Sequence, residues 1–506
     1  MLFGTDGIRG KVVNSPSNDN YAISQISEER SISPRFMRLI GEALTRLISV
    51  GEEVIIGWDD RPRNKELVND LTIGLHLGGA VVCHAGICST PALHNALLEK
   101  NASFGCMITA SHNPVTDSGI KIFDCHGYKT NKNIESELSE LIIQLASEER
   151  EVDEIDEVEL SIPDSLFEAD SAHQELSVVR LAEFTGLFGT PNLDKIILDC
   201  SKGAPSYWLA DFLRKQGIEA FEVSQNAPAL NHNCGAGELA PTDSWTWLEA
   251  ARSEHVLINS LQKTESGKII GAALDGDGDR CLFIESTENG CKVLDGDGMA
   301  DHILRAVNGQ WTLAASIESD LALSSSLERL NADVKFIETA VGDRWLSYSL
   351  KDEERNVIGV EDSGHLVLSC PHPHGGRTLV GDGVASLLAV ICAISVEERP
   401  AEFERGFKRR ISINNTNRSL WTGDNELADQ IEHIASTIIG GFQRQSIEGE
   451  PNLMMMKTEG VSIGIRNSGT QAKTNVSLRC SPGINTQKPL EIVKLIVKAL
   501  TEALTN

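Results

Sequence analysis

The apolar run Ile269-Ile270-Gly271-Ala272-Ala273-Leu274 stops abruptly at Asp275-Gly276-Asp277-Gly278-Asp279-Arg280, and apolar residues resume at Cys281-Leu282-Phe283-Ile284. A short buried strand that delivers three carboxylates and then turns back as a second strand belongs in an α/β sheet, where strand ends carry active sites. Aspartates at alternate positions of an extended segment or tight loop aim one way, and they repel one another strongly unless a cation neutralises them. Gly276 and Gly278 let the backbone fold closely round such an ion. A calcium-binding EF-hand loop also opens D-x-D-x-D, but it needs glycine sixth and glutamate twelfth. Here Arg280 and Ser286 occupy those positions. All-oxygen ligation with positions left open for a phosphate suits Mg²⁺ on Asp275, Asp277 and Asp279.

The strand–helix rhythm recurs along the chain. Ser33-Pro34 reads as an N-cap with proline at N1, followed by an apolar stripe of Phe36, Met37, Ile40, Leu44, Leu47 and Ile48. A strand at 53–57, a helix near 66–77 and a strand at 80–84 follow, and the polar stretch 14–31 reads as an inserted surface loop. Residues 148–170 are acidic and read as an exposed connector. The rhythm restarts at Lys195 and again near Leu294. The last part has strand-like pieces at 462–465 and 475–479, then a helix with Leu490, Val493, Ile496, Val497, Leu500 and Leu504 on one face. With 506 residues the chain is too long for one core. The expected organisation is three α/β domains (1–160, 175–290 and 291–398) and a smaller α+β domain (399–506).

The formal net charge of −28 disfavours nucleic acid and anionic membranes as partners. Eleven cysteines, without CxxC pairs and with Cys83, Cys200 and Cys392 inside apolar runs, fit reduced, buried thiols. No signal peptide is visible, and the apolar run 384–394 is too short to span a bilayer. A cytoplasmic protein is expected.

Three polar loops supply further chemistry. Thr109-Ala110-Ser111-His112-Asn113-Pro114 offers a serine on a turn, which needs a metal, a base or positive surroundings to become a nucleophile. A hydrolase triad is disfavoured because Gly-x-Ser-x-Gly is absent. Lys121 downstream is a general acid/base or phosphate clamp. Gly359-Val360-Glu361-Asp362-Ser363-Gly364-His365 puts Glu361, Ser363 and His365 at alternate positions after a strand, a set suited to sugar hydroxyls. Arg466-Asn467-Ser468-Gly469-Thr470 combines a guanidinium, two hydroxyls and glycine amides in a phosphate cradle.

In this order the four loops resemble those of the α-D-phosphohexomutase superfamily, and within it most closely the bacterial phosphoglucosamine mutases. Phe3-Gly4-Thr5-Asp6-Gly7-Ile8-Arg9-Gly10, Leu230 to Gly235 and Thr339 to Arg344 resemble further segments of that subgroup. The resemblance implies four domains round a central cleft. It also implies a phosphoserine at Ser111 and Mg²⁺ on Asp275, Asp277, Asp279 and Ser111. Arg9, Lys121 and Arg280 would add positive charge or move the hydroxyl proton. Glu361, Ser363 and His365 would hold the sugar, and Arg466, Asn467, Ser468, Gly469 and Thr470 the phosphate that is not reacting. The implied reaction interconverts glucosamine 6-phosphate and glucosamine 1-phosphate, with a 1,6-bisphosphate of glucose or glucosamine as intermediate or activator, for UDP-N-acetylglucosamine and cell-wall synthesis. A phosphomannomutase/phosphoglucomutase of the same mechanism is the alternative. A non-enzymatic phosphosugar-binding protein and a metal-dependent phosphatase are further readings, the former disfavoured by the intact Ser111 and aspartates. A homodimer is one assembly such a chain can form. Gln471, Ala472 and Asn475 stand where the superfamily's phosphate loop has Glu, Pro and Arg, and Val360 and Asp362 flank Glu361 where Gly and a variable residue are usual.

Overall fold

The computed structural model describes residues 2–4, 6–148, 154–450, 452–468 and 472–505. They form two compact units, Met1–Met299 with Ser363–Glu397 and Ala300–Asp362 with Glu398–Asn506.

The first unit begins with a seven-stranded mixed sheet in the order Ser31–Ile32, Ile8–Val12, Asp117–Asp124, Phe104–Ile108, Glu53–Trp58, Val81–Ile87, Ser165–Leu166. The middle strands are runs such as Val54-Ile55-Ile56 and Cys106-Met107-Ile108, buried on both faces, as parallel strands under helices must be. The helix Pro34–Thr45 starts where the cap signal places it, with Ser33 Oγ accepting from Phe36 N at 3.4 Å. Its apolar stripe joins Leu67, Val68, Leu71 and Leu75 of the helix Asn64–Leu77 in one core.

Two sequence expectations are corrected here. The polar stretch 14–31 contains the helix Asp19–Glu28, capped by Asn18, and is not merely a surface loop. Its Ala22 and Ile26 are buried in the core, a spacing too sparse to stand out among polar neighbours. The acidic connector contains the helix Glu154–Leu160 and the strand Ser165–Leu166, which pairs in parallel with Val81–Ile87 and closes that sheet edge. Residues 149–153 lie outside the described residues.

The second sheet runs Ser244–Thr246, Gly290–Leu294, Cys281–Ser286, Ile269–Leu274, Lys195–Asp199, Glu219–Glu222. Ile269–Leu274 lies inside it, parallel to Lys195–Asp199 and antiparallel to Cys281–Ser286, so the three-aspartate turn emerges from its middle. The first unit also holds the hairpin of Leu366–Pro371 and Arg377–Gly381 and the buried helix Gly383–Ala393, which packs on the helix Ala169–Phe188.

In the second unit, Asp333–Thr339, Gln310–Ser316 and Asn356–Val360 pair in parallel. An antiparallel sheet follows in the order Phe407–Asn414, Lys473–Cys480, Val461–Asn467, Met454–Thr458, Gln443–Gln445. One face of it (Ile413, Val476, Leu478, Ile463 and Ile465) packs with Ile431 of the helix Glu426–Ile438 and with Ile492, Ile496 and Leu500 of the helix Gln487–Leu504. This agrees with the expected α+β character. No helix among the described residues is long and apolar enough to cross a membrane.

Candidate active site

The turn Asp275–Arg280 places three carboxylates in full burial. Gly278 N closes the turn on Asp275 O at 3.1 Å. One oxygen from each of Asp275, Asp277 and Asp279 lies within 4.8 Å of the others. Asp277 Oδ1 is buried and has no hydrogen-bond partner among the described residues. A buried, unpartnered carboxylate oxygen beside two more carboxylates is costly by itself, and a divalent cation would resolve it. The donor set therefore fits a hard metal ion.

Lys121, on the strand Asp117–Asp124, reaches this cluster from the first sheet. Its Nζ lies 2.7 Å from Asp277 Oδ2, 2.6 Å from Asp279 Oδ2 and 3.3 Å from Asp6 Oδ2. Lys129 pairs with Asp6 Oδ1 at 2.8 Å. Burial alone would make Lys121 a weaker base, but Asp277, Asp279 and Asp6 outweigh it and raise its pKa well above the usual value. Burial would likewise raise Asp279, yet Lys121 and then His365 hold it well below the carboxylate range. Asp275 has only a more distant cation, Arg280, whose Nε lies 3.6 Å from its Oδ2. Burial first, then Asp279 and Asp277, pushes its carboxyl up to about 7. Thr90 adds a second tie, its Oγ1 donating to Asp277 Oδ2 at 2.6 Å.

Ser111 is completely buried, and its hydroxyl donates to Asp275 Oδ2 at 2.8 Å. Its backbone is left-handed, with φ +53°. For a residue other than glycine such a conformation persists only where surroundings over-determine it. Arg61 does much of this. Its Nη2 donates to Ser111 O (2.7 Å) and Asn113 O (3.0 Å), and its Nη1 to Pro114 O (2.6 Å) and Asp117 O (2.9 Å). Nε of Arg61 is held by Asp59 Oδ2 at 3.0 Å, which also accepts from Thr109 Oγ1 at 2.6 Å.

Arg9 and Arg280 border the same space. Arg9 pairs with Asp6 at 2.7 Å and donates to Ala110 O at 3.3 Å. Arg280 Nε lies 3.6 Å from Asp275 Oδ2 and 3.2 Å from His365 Nε2. His365 Nε2 is also 3.0 Å from Asp279 Oδ1. The two contacts make opposite demands on that nitrogen: Arg280 Nε–H needs it as an acceptor, whereas the Asp279 carboxylate needs it protonated. The Arg280 guanidinium first, then burial, keeps the neighbouring His112 neutral by lowering its pKa well below the usual value.

This geometry has relatives. Residues 1–149 match the family model "Phosphoglucomutase/phosphomannomutase, alpha/beta/alpha domain I", and residues 296–404 match domain III of the same family, together about half of the chain. A phosphoglucosamine mutase of Actinobacillus succinogenes is 26% identical over 98% of both chains. One from Haemophilus influenzae has the same identity and coverage. Among solved structures, a phosphoglucomutase/phosphomannomutase family protein of Burkholderia thailandensis superposes with a TM-score of 0.68 at 17% identity, covering 100% of this chain and 99% of that one. An Aspergillus fumigatus N-acetylphosphoglucosamine mutase in complex with GlcNAc-6P and magnesium gives 0.59 at 13% identity, over 99% and 96% of the two chains. The chain belongs to the α-D-phosphohexomutase superfamily.

The other two loops of this phosphohexomutase are placed as follows. The unit boundary falls within the sugar loop, between Asp362 and Ser363. Glu361 Oε1 accepts from Gly342 N at 2.7 Å. Asp362 does not face solvent. It is buried and pairs with Lys408 at 2.9 Å. In the phosphate loop, Arg466 lies 3.4 Å from Glu318 and 3.6 Å from Glu450, and Arg410 also pairs with Glu318. Asn467 Nδ2 donates to Arg418 O and Trp421 O, so its amide is structural. Ser468 N donates to Lys473 O at 2.8 Å. Gly469 and Thr470 lie outside the described residues.

Sequence reasoning missed Asp6, Arg61, Thr90 and Lys129. Asp59 and Arg61 directly follow the strand Glu53–Trp58, the same strand-end signal that exposes the three aspartates. Asp6 lies in the quoted N-terminal segment, whereas nothing local marks Thr90 or Lys129.

Proposed function

We propose that this phosphohexomutase interconverts glucosamine 6-phosphate and glucosamine 1-phosphate through phospho-Ser111 and a 1,6-bisphosphorylated sugar. The observation that carries the reading is the 2.8 Å contact between Ser111 Oγ and Asp275 Oδ2, within a carboxylate cluster spanned by Lys121. A phosphate on Ser111 lies beside side chains suited to a metal, and the metal is Mg²⁺ in this reading. Asp275, Asp277, Asp279 and Ser111 would hold it. When bound, the cation neutralises charge on the phosphoryl group in transit.

The chain's own residues account for the rest. In the first half-reaction the phosphorus–Oγ bond of phospho-Ser111 breaks and a bond to a sugar hydroxyl oxygen forms, so that the sugar hydroxyl gives up its proton and Ser111 Oγ ends with one. The bisphosphate then turns round, and its other phosphoryl group returns to Ser111. On that return the serine hydroxyl proton has an acceptor 2.8 Å away, at Asp275 Oδ2. Lys121, with its ammonium 2.7 Å from Asp277 Oδ2 and 2.6 Å from Asp279 Oδ2, clamps negative charge or moves the hydroxyl proton. Arg9 and Arg280 add charge-assisted donors for phosphate oxygens. By the resemblance of the loops, Arg466, Ser468, Gly469 and Thr470 would hold the phosphate that is not reacting, and Glu361, Ser363 and His365 the sugar. The eleven unpaired cysteines support a reducing, cytoplasmic setting.

The domain I and III family models favour one second reading, a phosphomannomutase/phosphoglucomutase with the same steps. A coupled assay with Mg²⁺ and a trace of hexose 1,6-bisphosphate separates the two. The proposal expects kcat/KM to be highest for glucosamine 6-phosphate. A preference for glucose 1-phosphate or mannose 1-phosphate would move the chain to the second reading, and phosphate release without isomerisation would make it a phosphatase.

A further inference from the structure

Asn231 touches both catalytic loops with one side-chain amide. Its Nδ2 donates to Ser111 O at 2.6 Å and to Asn113 O at 3.3 Å. On the other side it packs against the metal loop so closely that a Cβ on Gly276 would fall 2.7 Å from Nδ2 and 2.9 Å from Oδ1. No side chain fits between them, which is what glycine at 276 permits. The amide cannot flip freely, because Ser201 Oγ donates to Asn231 Oδ1 at 2.7 Å and so commits Nδ2 to the serine loop. Ser201 is in turn anchored to the second sheet, its N–H donating to Asp199 Oδ1 at 2.9 Å at the end of the strand Lys195–Asp199. The same segment covers the next residue of the serine loop: a Cβ on Gly237 would fall 2.3 Å from His112 Cβ.

We infer that Asn231, oriented by Ser201, is a positioning residue that sets the separation between Ser111 and the carboxylates of the metal loop. This rests on the phosphoserine reading. Ser111 sits on the first sheet's loop and Asp275 on the second sheet's, so their distance is a distance between two layers. Arg61 holds the serine loop to its own sheet. Among the described contacts of the Ser111 carbonyl, Asn231 is the donor that comes from the second sheet's side. Phosphoryl transfer is sensitive to such offsets, since a misplacement of about 1 Å in a reacting group can cost roughly 10²-fold in rate. Asn231 touches neither substrate nor phosphate in this account. Its loss therefore acts on kcat, not on KM.

The isosteric Asn231→Asp keeps the acceptor for Ser201 and removes both donors, turning a carboxylate oxygen onto two carbonyls. Ser201→Ala leaves those donors in place and frees the amide to turn, at no contact with the serine loop. The measurements are the rate at which hexose 1,6-bisphosphate phosphorylates Ser111, followed by intact mass, together with kcat, KM and the melting temperature of each variant. Expected are a loss of about 100-fold in phosphorylation rate and kcat for Asn231→Asp, with KM within twofold, and a smaller loss of the same kind for Ser201→Ala, both well below their melting temperatures. A folded Asn231→Asp with wild-type kcat, or variants in which KM moves as much as kcat, would overturn the inference while leaving the phosphoserine reading intact. A wild-type protein that takes no phosphate onto Ser111 would remove both.

Discussion

Lys121 Nζ and Asp279 Oδ2 stand 2.6 Å apart in full burial, and the same ammonium is 2.7 Å from Asp277 Oδ2. One lysine thus pairs with two of the three carboxylates that are suited to a metal. Removing it leaves buried negative charge uncompensated, which costs about 3–5 kcal/mol. We expect Lys121→Gln to melt lower than wild type in chelator and to recover on addition of Mg²⁺ by a larger margin than wild type does. Its kcat should fall by roughly 10²–10⁴-fold, as loss of a general acid or charge clamp does. Thermal melts with and without Mg²⁺ check the first claim, and equal metal responses would contradict it.

Glu318 shares its carboxylate between Arg466 and Arg410. The Lys473 ammonium nearby is made less basic by burial first and then by Arg410 and Arg466. Cations gathered on one carboxylate are available to a phosphate once that carboxylate is neutral. Partly exposed ion pairs contribute about 0.2–1 kcal/mol, so Glu318→Gln should lower KM for the hexose phosphate by about two- to fivefold with kcat little changed. Steady-state kinetics tests this, and a raised KM would show that Glu318 orders the arginines instead.

His94 is buried and donates or accepts at Thr378 Oγ1 (3.4 Å), and burial pushes its pKa down to about 4, against the pull of Asp382. His84, bound to Thr72 Oγ1 at 2.8 Å, is also pushed down to about 4, by burial first. Both fold neutral, whereas the unfolded chain takes up a proton near the ordinary value of 6.5. Their stabilisation is therefore whole above about pH 6.5 and is lost as the pH falls through about 4. Urea midpoints measured across that window should fall, and His94→Gln should flatten the fall. An unchanged acid limb in the variant would rule out His94 as a contributor.

The parts of this molecule legible in the sequence are those governed by local pattern. Ile269–Leu274 reads as a strand from its apolar run and Asp275–Arg280 as a turn from its glycines, and both are so. The final helix follows from its apolar spacing and runs Gln487–Leu504. The helix Asp19–Glu28 was hidden because few of its residues are buried, and the strand Ser165–Leu166 because two residues carry no period. In the site, Ser111, Lys121 and the aspartates are marked by their own loops. Arg61 and Asn231 act through carbonyls 50 and 120 residues away, and no local pattern encodes such a contact.

Arg61 offers a complementary test of how the serine loop is held. Lysine in its place keeps the charge but cannot satisfy four carbonyls and Asp59 at once. Leaving buried carbonyls unpaired costs about 1–3 kcal/mol each. Arg61→Lys should therefore lower the melting temperature as well as kcat, whereas Ser201→Ala, which leaves those carbonyls their donors, should act chiefly on kcat. Parallel melts and kinetics distinguish the two, and a silent Arg61→Lys would show that the loop holds its own conformation.

The central claim is that Ser111 carries the phosphoryl group. The direct measurement is intact and peptide mass of the purified protein after incubation with Mg²⁺ and hexose 1,6-bisphosphate, for wild type and Ser111→Ala. The account predicts a gain of one phosphoryl group, mapped to the peptide containing Ser111, discharged on addition of glucosamine 6-phosphate and absent from the variant. Phosphate on another residue, or turnover of glucosamine 6-phosphate by Ser111→Ala at the wild-type rate, would contradict it.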